Sequence, residues 1–427
     1  MTMSEKKEPL LSPVLRALQQ AVAEEVDSAL TSFWQEMTLQ KTPLIEKSAE
    51  HAEHALVTFL WREREATKTV VVVSALGTTP LGWKYRDHQM SHLPHTDLWY
   101  RTYEVPNTMR MVYRLSPNDT LEEYSDELDW DARTATFQVD PLNPHTYVLS
   151  ADEECDQNAE EYSVLELPDA PPQFWSDIRE SVPRGNVELR RFHSAILNNE
   201  RRIWIYTPPG YTKNTTPYGV LLVFDGLTYI HDIPMPTILD NLVADHLLQP
   251  MIAISICTLD WETRDRELTC YQPFVDFLAD ELLPWLRQEY HITTDPAQTI
   301  VGGSSYGGLA ASFAALKRSD VFGNVLSQSG AVYWTPDDDP DFEWLTRQYV
   351  ANDTLPVRFY LDVGLLENNP RRSTCPDGPT QLAATRHFRN VLRAKKYFVS
   401  YTEYSSGHDY VCWRGSLANG LLALLSL

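Results

Sequence analysis

The chain has 427 residues, more than one ordinary domain holds, and its 43% hydrophobic and 22% charged composition is that of a globular protein with a core large enough to need no disulfide scaffold. Lys and Arg number 36 against 59 Asp and Glu, a formal net charge of −23 that argues against nucleic acid and against anionic membrane surfaces; an anionic small molecule would need a local basic patch. Five cysteines (Cys155, Cys257, Cys270, Cys375 and Cys412), odd in number and without a CxxC pair, fit neither a disulfide framework nor a zinc site and read as free thiols of a reducing compartment.

The opening MTMSEKKEPLLSP has two lysines but no apolar run behind them, and no stretch of about 18 apolar residues follows anywhere, so a cytoplasmic location is expected. Val14, Leu18, Val22, Val26, Leu30 and Phe33 recur at helical spacing and predict one helix over Ser12 to Met37. Period-two runs rich in β-branched and aromatic residues then predict strands at Ala55–Trp61, Lys68–Ala75, Leu98–Val105 and Met109–Leu115, with Pro106-Asn107 as a turn. Without helices between them, they predict a small all-β sandwich. From Asn118 to Glu166 acidic residues accumulate and the apolar pattern fades. Asp169-Ala170-Pro171-Pro172 and Pro183-Arg184-Gly185 punctuate the chain, placing a boundary that divides it into 1–175 and 176–427.

The second part changes rhythm. Val187–Ser194 and Arg202–Thr207 predict a hairpin around Asn198-Asn199. Apolar runs at Val220–Phe224, Met251–Cys257, Thr299–Gly302, Asn324–Ser327, Val357–Asp362 and Tyr397–Thr402 alternate with helical stretches such as Phe274–Tyr290 and Gly308–Lys317. That alternation predicts an α/β domain with a mostly parallel sheet covered on both faces.

One segment carries chemistry. In TIVGGSSYGGLAASFAAL a buried strand leads into Gly303-Ser304-Ser305-Tyr306-Gly307, a G-x-S-x-G, and a helix of small residues follows at once. This is the setting of a nucleophile elbow, in which a tight turn lifts the serine above the sheet and aims the next backbone N–H at the oxyanion. Ser305 is the candidate nucleophile and the Tyr306 N–H a candidate oxyanion donor; the alternative is an ordinary strand-to-helix turn with an unreactive serine. A serine needs a base, and in α/β-hydrolases the histidine comes last in chain order. Of twelve histidines only His408, in Ser405-Ser406-Gly407-His408-Asp409, lies in a loop after the last predicted strand. The acid is expected after the preceding strand, where Glu367 stands past Gly364 and Asp362 sits in the strand itself; Glu367 is favoured and Asp362 stays open. Asp409, adjacent to His408, is badly placed to face it. The loop after Val220–Phe224 offers the Leu227 N–H as second oxyanion donor, with Gly226 letting the chain turn, although a plain Asp-Gly turn explains those residues equally well.

With these residues placed, the chain resembles the enterobactin (enterochelin) esterases, the Fes-type siderophore esterase family. The likeness rests on GGSSYGGLAA, VFGNVLSQSGAVYW, RDRELTC and SGHDYVCWRGSLANGL in the second part, and on PLIE, VTFLWR, DLWYRTYEVP, YRLSPND and DPLNP in the first. The resemblance implies an immunoglobulin-like β domain ahead of an esterase-D-like α/β-hydrolase domain. It implies a substrate that is a cyclic trimer of dihydroxybenzoyl-serine, usually as its ferric complex. It also implies Ser305, His408 and Glu367 as the triad, and Arg264, Glu267, Trp413 and Arg414 as residues that line the site. Tyr271 departs from the small amide of the family pattern, which bears on the acyl pocket. Arg264, Arg266, Arg371, Arg372 and Arg414, read as loop residues near the site, are suited to catecholate oxygens and rings. No cofactor or metal is expected, iron arriving only with the substrate. Rival readings are an esterase of feruloyl or S-formylglutathione type and a non-catalytic binding protein on a hydrolase-like fold.

Overall fold

A computed structural model describes residues 12–73, 85–122, 130–339, 341–368 and 378–425. Arg371, Arg372 and Cys375 lie outside the described residues, as do the first eleven positions and the end of the Lys68–Ala75 run. The chain forms two compact units: one of 1–148, 161–171 and 405–407, the other of 149–160, 172–404 and 408–427.

The first unit opens with two helices, α1 (Pro13–Glu24) and α2 (Val26–Gln40), where the apolar spacing predicts one. The break is at Glu25, whose extended backbone (φ −151°, ψ 104°) turns the chain. Leu15, Leu18 and Val22 of α1 and Phe33, Trp34 and Met37 of α2 thereby bury in one cluster with Leu44, Leu60, Leu98 and Tyr100. A straight helix would leave half of that stripe without a partner.

The strands of this unit are β1 (Leu44–Lys47), β2 (His54–Arg62), β3 (Val70–Val73), β4 (Ser91–His92), β5 (Leu98–Pro106), β6 (Arg110–Pro117), β7 (Thr146–Leu149) and β8 (Glu160–Glu166). They make two four-stranded sheets, ordered β1-β2-β5-β4 and β3-β6-β8-β7, an immunoglobulin-like all-β arrangement. The four predicted strands are present. β7 and β8 fall in the acidic stretch where no apolar pattern predicts them; β8 alternates weakly and is held by pairing with β6, Met111 opposite Leu165 and Tyr113 opposite Ser163.

The second unit is an α/β-hydrolase domain. Its strands are β9 (Asn186–Ser194), β10 (Asn199–Thr207), β11 (Gly219–Phe224), β12 (Met251–Ile256), β13 (Thr299–Ser304), β14 (Asn324–Gln328), β15 (Arg358–Gly364) and β16 (Phe398–Tyr404). They form one sheet ordered β16-β15-β14-β13-β11-β12-β10-β9, parallel from β16 to β12 and closed by the antiparallel β10 and β9. All eight coincide with predicted runs, and the β9–β10 hairpin turns at Asn198 with a left-handed backbone (φ 51°). β11, β12, β13 and β14 are buried apart from Gly219 at the start of β11, because helices cover the sheet on both faces. One face packs Phe277, Leu282, Leu309, Phe313, Phe359 and Phe388; the other packs Tyr229, Leu239, Leu326, Tyr360, Trp413 and Leu421. The four described cysteines carry no disulfide. Among the described residues, no helix is long and apolar enough to cross a membrane.

Candidate active site

The parallel strands share one direction, so the segments that leave their C-terminal ends gather on one edge of the sheet. Ser305 follows β13, Ser329 follows β14, Glu367 follows β15 and His408 follows β16, and these four strands are consecutive neighbours in the sheet.

Ser305 joins β13 to the helix Tyr306–Lys317 with φ 56° and ψ −120°, a conformation that a side-chain-bearing residue rarely takes. Backbone bonds hold it there. Its N–H donates to the Gln328 carbonyl at 2.9 Å, and its carbonyl accepts from Leu309 at 3.2 Å and Ala331 at 2.9 Å. Close approach explains the small neighbours. A Cβ on Gly303 would meet the Gly307 backbone at 2.9 Å, and one on Gly308 would meet Ser327 Oγ at 2.5 Å. A Cβ on Gly307 would meet nothing nearer than 3.6 Å, so the second glycine of the motif is not the one that sterics demand.

His408 Nδ1 lies 2.5 Å from Glu367 Oε2, and the Glu367 side chain is 1% exposed. The other oxygen, Oε1, accepts from the Ser329 hydroxyl at 2.5 Å and from the Gly364 N–H at 2.8 Å. Asp362 is equally buried but is engaged elsewhere, by the Ser416 and Tyr360 hydroxyls and by the Ser329 N–H at 3.0 Å. Burial raises its carboxyl to about 7, and the nearby Glu367 charge adds to that rise. Asp409 accepts from the Cys412 N–H at 3.0 Å and so caps the helix Tyr410–Leu425. The structure therefore brings Glu367 to His408 and engages Asp362 and Asp409 with other partners.

Trp413 is 3% exposed, packs edge-on against the His408 ring at 4.7 Å, and donates from Nε1 to Ser329 Oγ at 3.1 Å. The expectation that it lines a substrate surface is corrected: it buttresses the histidine from within the core. Glu267 is corrected too. It is 4% exposed and forms a two-pronged ion pair with the buried Arg201, at 2.9 and 2.8 Å, which places its carboxylate inside the core. Arg264 and Arg414 are helical rather than loop residues, in Trp261–Leu268 and Tyr410–Leu425. Arg414 Nε donates to the Gln173 amide at 2.8 Å. Arg266 is exposed, and Tyr271 packs partly buried against the core.

Arg264 is bound by Asp225 in a two-pronged fork, Nε and Nη2 donating at 2.7 and 2.8 Å, and its guanidinium stands 5.7 Å from the Tyr306 ring and 5.6 Å from the exposed Trp261 ring. Asp225 also accepts from the Thr258 hydroxyl at 3.0 Å. Leu227 occupies the second position of the short helix Gly226–His231, which begins where β11 ends. Burial pushes the nearby Cys257 thiol up to about 12, against the opposing pull of the Arg202 charge and, more weakly, of the Leu227 N–H. Asp225, Trp261, Ser329 and Gln381 were not singled out from sequence. For Asp225 the one available signal was its place at the end of a buried parallel strand.

Residues 194–424, more than half the chain, match the family described as Putative esterase, and 56–176 match Enterochelin esterase, N-terminal. The Iron(III) enterobactin esterase of Yersinia enterocolitica is 30% identical over 65% of this chain and 82% of its own length. The chain belongs to the enterobactin (enterochelin) esterase family. That family is one of carboxylic ester hydrolases. The Iron(III) enterobactin esterase of Dickeya dadantii is 29% identical across 92% of this chain and 93% of its own. The crystal structure of the enterobactin esterase FES from Shigella flexneri in the presence of enterobactin superposes with a TM-score of 0.70 at 26% identity, covering 90% of this chain and 96% of that one. Both units of the family member described here thus have counterparts in those relatives.

Proposed function

We propose that this chain is a serine esterase that hydrolyses the trilactone ester bonds of enterobactin and of its ferric complex, releasing dihydroxybenzoyl-serine units and freeing iron inside the cell. The observation that carries the reading is the 2.5 Å contact of His408 Nδ1 with a buried Glu367, on the sheet edge where Ser305 leaves its elbow. The ionised carboxylate keeps the Nδ1 proton on the histidine, leaving Nε2 as the base. Nε2 takes the Ser305 proton as Oγ attacks the ester carbonyl. The Tyr306 N–H, at the start of its helix, is assigned to the oxyanion; the Leu227 N–H, expected from sequence as the second donor, is directed at the Cys257 sulfur. His408 then protonates the leaving alkoxide, and water cleaves the acyl-enzyme by the reverse sequence. No cofactor enters these steps; iron is cargo of the substrate. The free thiols fit a reducing compartment. Incubation with the trilactone, with and without iron, followed by chromatography tests this: stepwise appearance of linear trimer, dimer and monomer is expected. An intact trilactone beside rapid cleavage of feruloyl esters would sink it.

The Asp225 pairing changes what Arg264 is expected to do. Asp225 approaches the first turn of the nucleophile helix, Oδ2 standing 3.8 Å from where a Gly307 Cβ would be. Arg264→Ala would leave that carboxylate uncompensated beside a developing oxyanion, which penalises every ester. We expect a loss on the order of 10- to 100-fold in kcat/KM, alike for the trilactone and for p-nitrophenyl acetate, from removal of a charge-assisted pair. Adding Asp225→Asn should restore most of it. A loss confined to the trilactone would instead make Arg264 a direct substrate contact.

A further inference from the structure

Ser329 is 1% exposed and takes a left-handed backbone (φ 46°) that glycine would adopt without strain. Every polar group it has is engaged. Its N–H donates to Asp362, its carbonyl accepts from Gln381 Nε2 at 2.9 Å, and its hydroxyl lies between Trp413 Nε1 at 3.1 Å and Glu367 Oε1 at 2.5 Å. Donor chemistry sets the direction of that last chain. An indole N–H only donates and an ionised carboxylate only accepts. Ser329 Oγ must therefore accept from Trp413 and spend its single hydrogen on Glu367.

We propose that Ser329 is a positioning residue for the esterase reaction, a hydroxyl relay from Trp413 that saturates Glu367 Oε1 and so presents Oε2 to His408. The proposal rests on reading Glu367 as the triad acid. With the Gly364 N–H also on Oε1, one oxygen is held by two donors and the carboxylate cannot rotate to offer His408 a poorer angle. Trp413 also packs on the His408 ring, so one side chain sets both the relay and the ring plane. The strained backbone is consistent with this role, because a glycine there has no hydroxyl to give.

The test uses Ser329→Gly, which relieves the backbone and removes the hydroxyl, together with Ser329→Ala, Trp413→Phe and the Ser329→Ala/Trp413→Phe double variant in the full chain. By the scale seen for outer hydrogen-bond partners, kcat should fall about 10- to 100-fold with KM nearly unchanged. Stripping a donor from Oε1 leaves more negative charge for the imidazolium, so the acid limb of the kcat/KM profile should move to higher pH. The double variant should be little worse than Ser329→Ala, since both break one chain. A folded Ser329→Gly with wild-type kcat and an unmoved acid limb overturns the proposal, as do multiplying effects in the double variant. Glu367→Gln separates the two readings. It is expected to cost about 10- to 1,000-fold. If it is silent, the acid assignment fails; if it is impaired while the Ser329 variants are not, only the relay fails.

Discussion

Ser305→Ala should reduce kcat on the trilactone by about 10³-fold or more while substrate still binds. In the proposed reaction the serine supplies the atom that bonds to the carbonyl. Its neighbours hold the turn through backbone bonds, with Ser305 N–H on Gln328 and Ala331 N–H on the Ser305 carbonyl, so alanine keeps the same anchors. The residual rate would come from the oxyanion donors and from binding. Steady-state kinetics with a binding titration on the folded variant checks this. Retention of near-normal kcat would show that Ser305 occupies a strained turn for structural reasons.

His408→Ala should lose as much, and combining it with Ser305→Ala should lose little more. A nucleophile and its base work as one unit, so removing either already abolishes the pathway both serve. His408 is 18% exposed at the mouth of a buried carboxylate site, so its removal leaves Glu367 with the Ser329 and Gly364 donors. Folding should therefore survive. Thermal melts alongside kinetics on both single variants and the double separate the outcomes: independent, multiplying losses would mean that some other group activates Ser305.

Much of this site was legible in one dimension because its decisive features are local. A strand, a G-x-S-x-G and a small-residue helix are contiguous, and close packing at Gly303 and Gly308 leaves only glycine possible there. The order Ser305, Glu367, His408 follows from parallel strands that all end on one edge, so chain order becomes spatial order. Short apolar runs located the central strands of the hydrolase sheet for the same reason, β11 to β14 being buried by their own composition.

Other parts depend on partners far away in the chain. The strand β8 has little pattern of its own and forms because β6 offers it a ladder. Glu25 breaks a helix that apolar spacing extends through it, since only a turned pair can bury both halves of the stripe. Glu267 looked like a site residue until Arg201, 66 positions away, claimed both its oxygens. Arg264 looked like a free cation until Asp225 bound it. Ser329 carried no signal, because its meaning lies in Glu367 and Trp413, 38 and 84 residues on. The sequence by itself determined the hydrolase sheet and the tight turn at Ser305, where short-range sterics and burial act within a dozen residues. Only the tertiary structure decided which charges are spent on each other and which hydroxyl faces which carboxylate, because a hydrogen bond or ion pair depends on distances that chain separation does not encode.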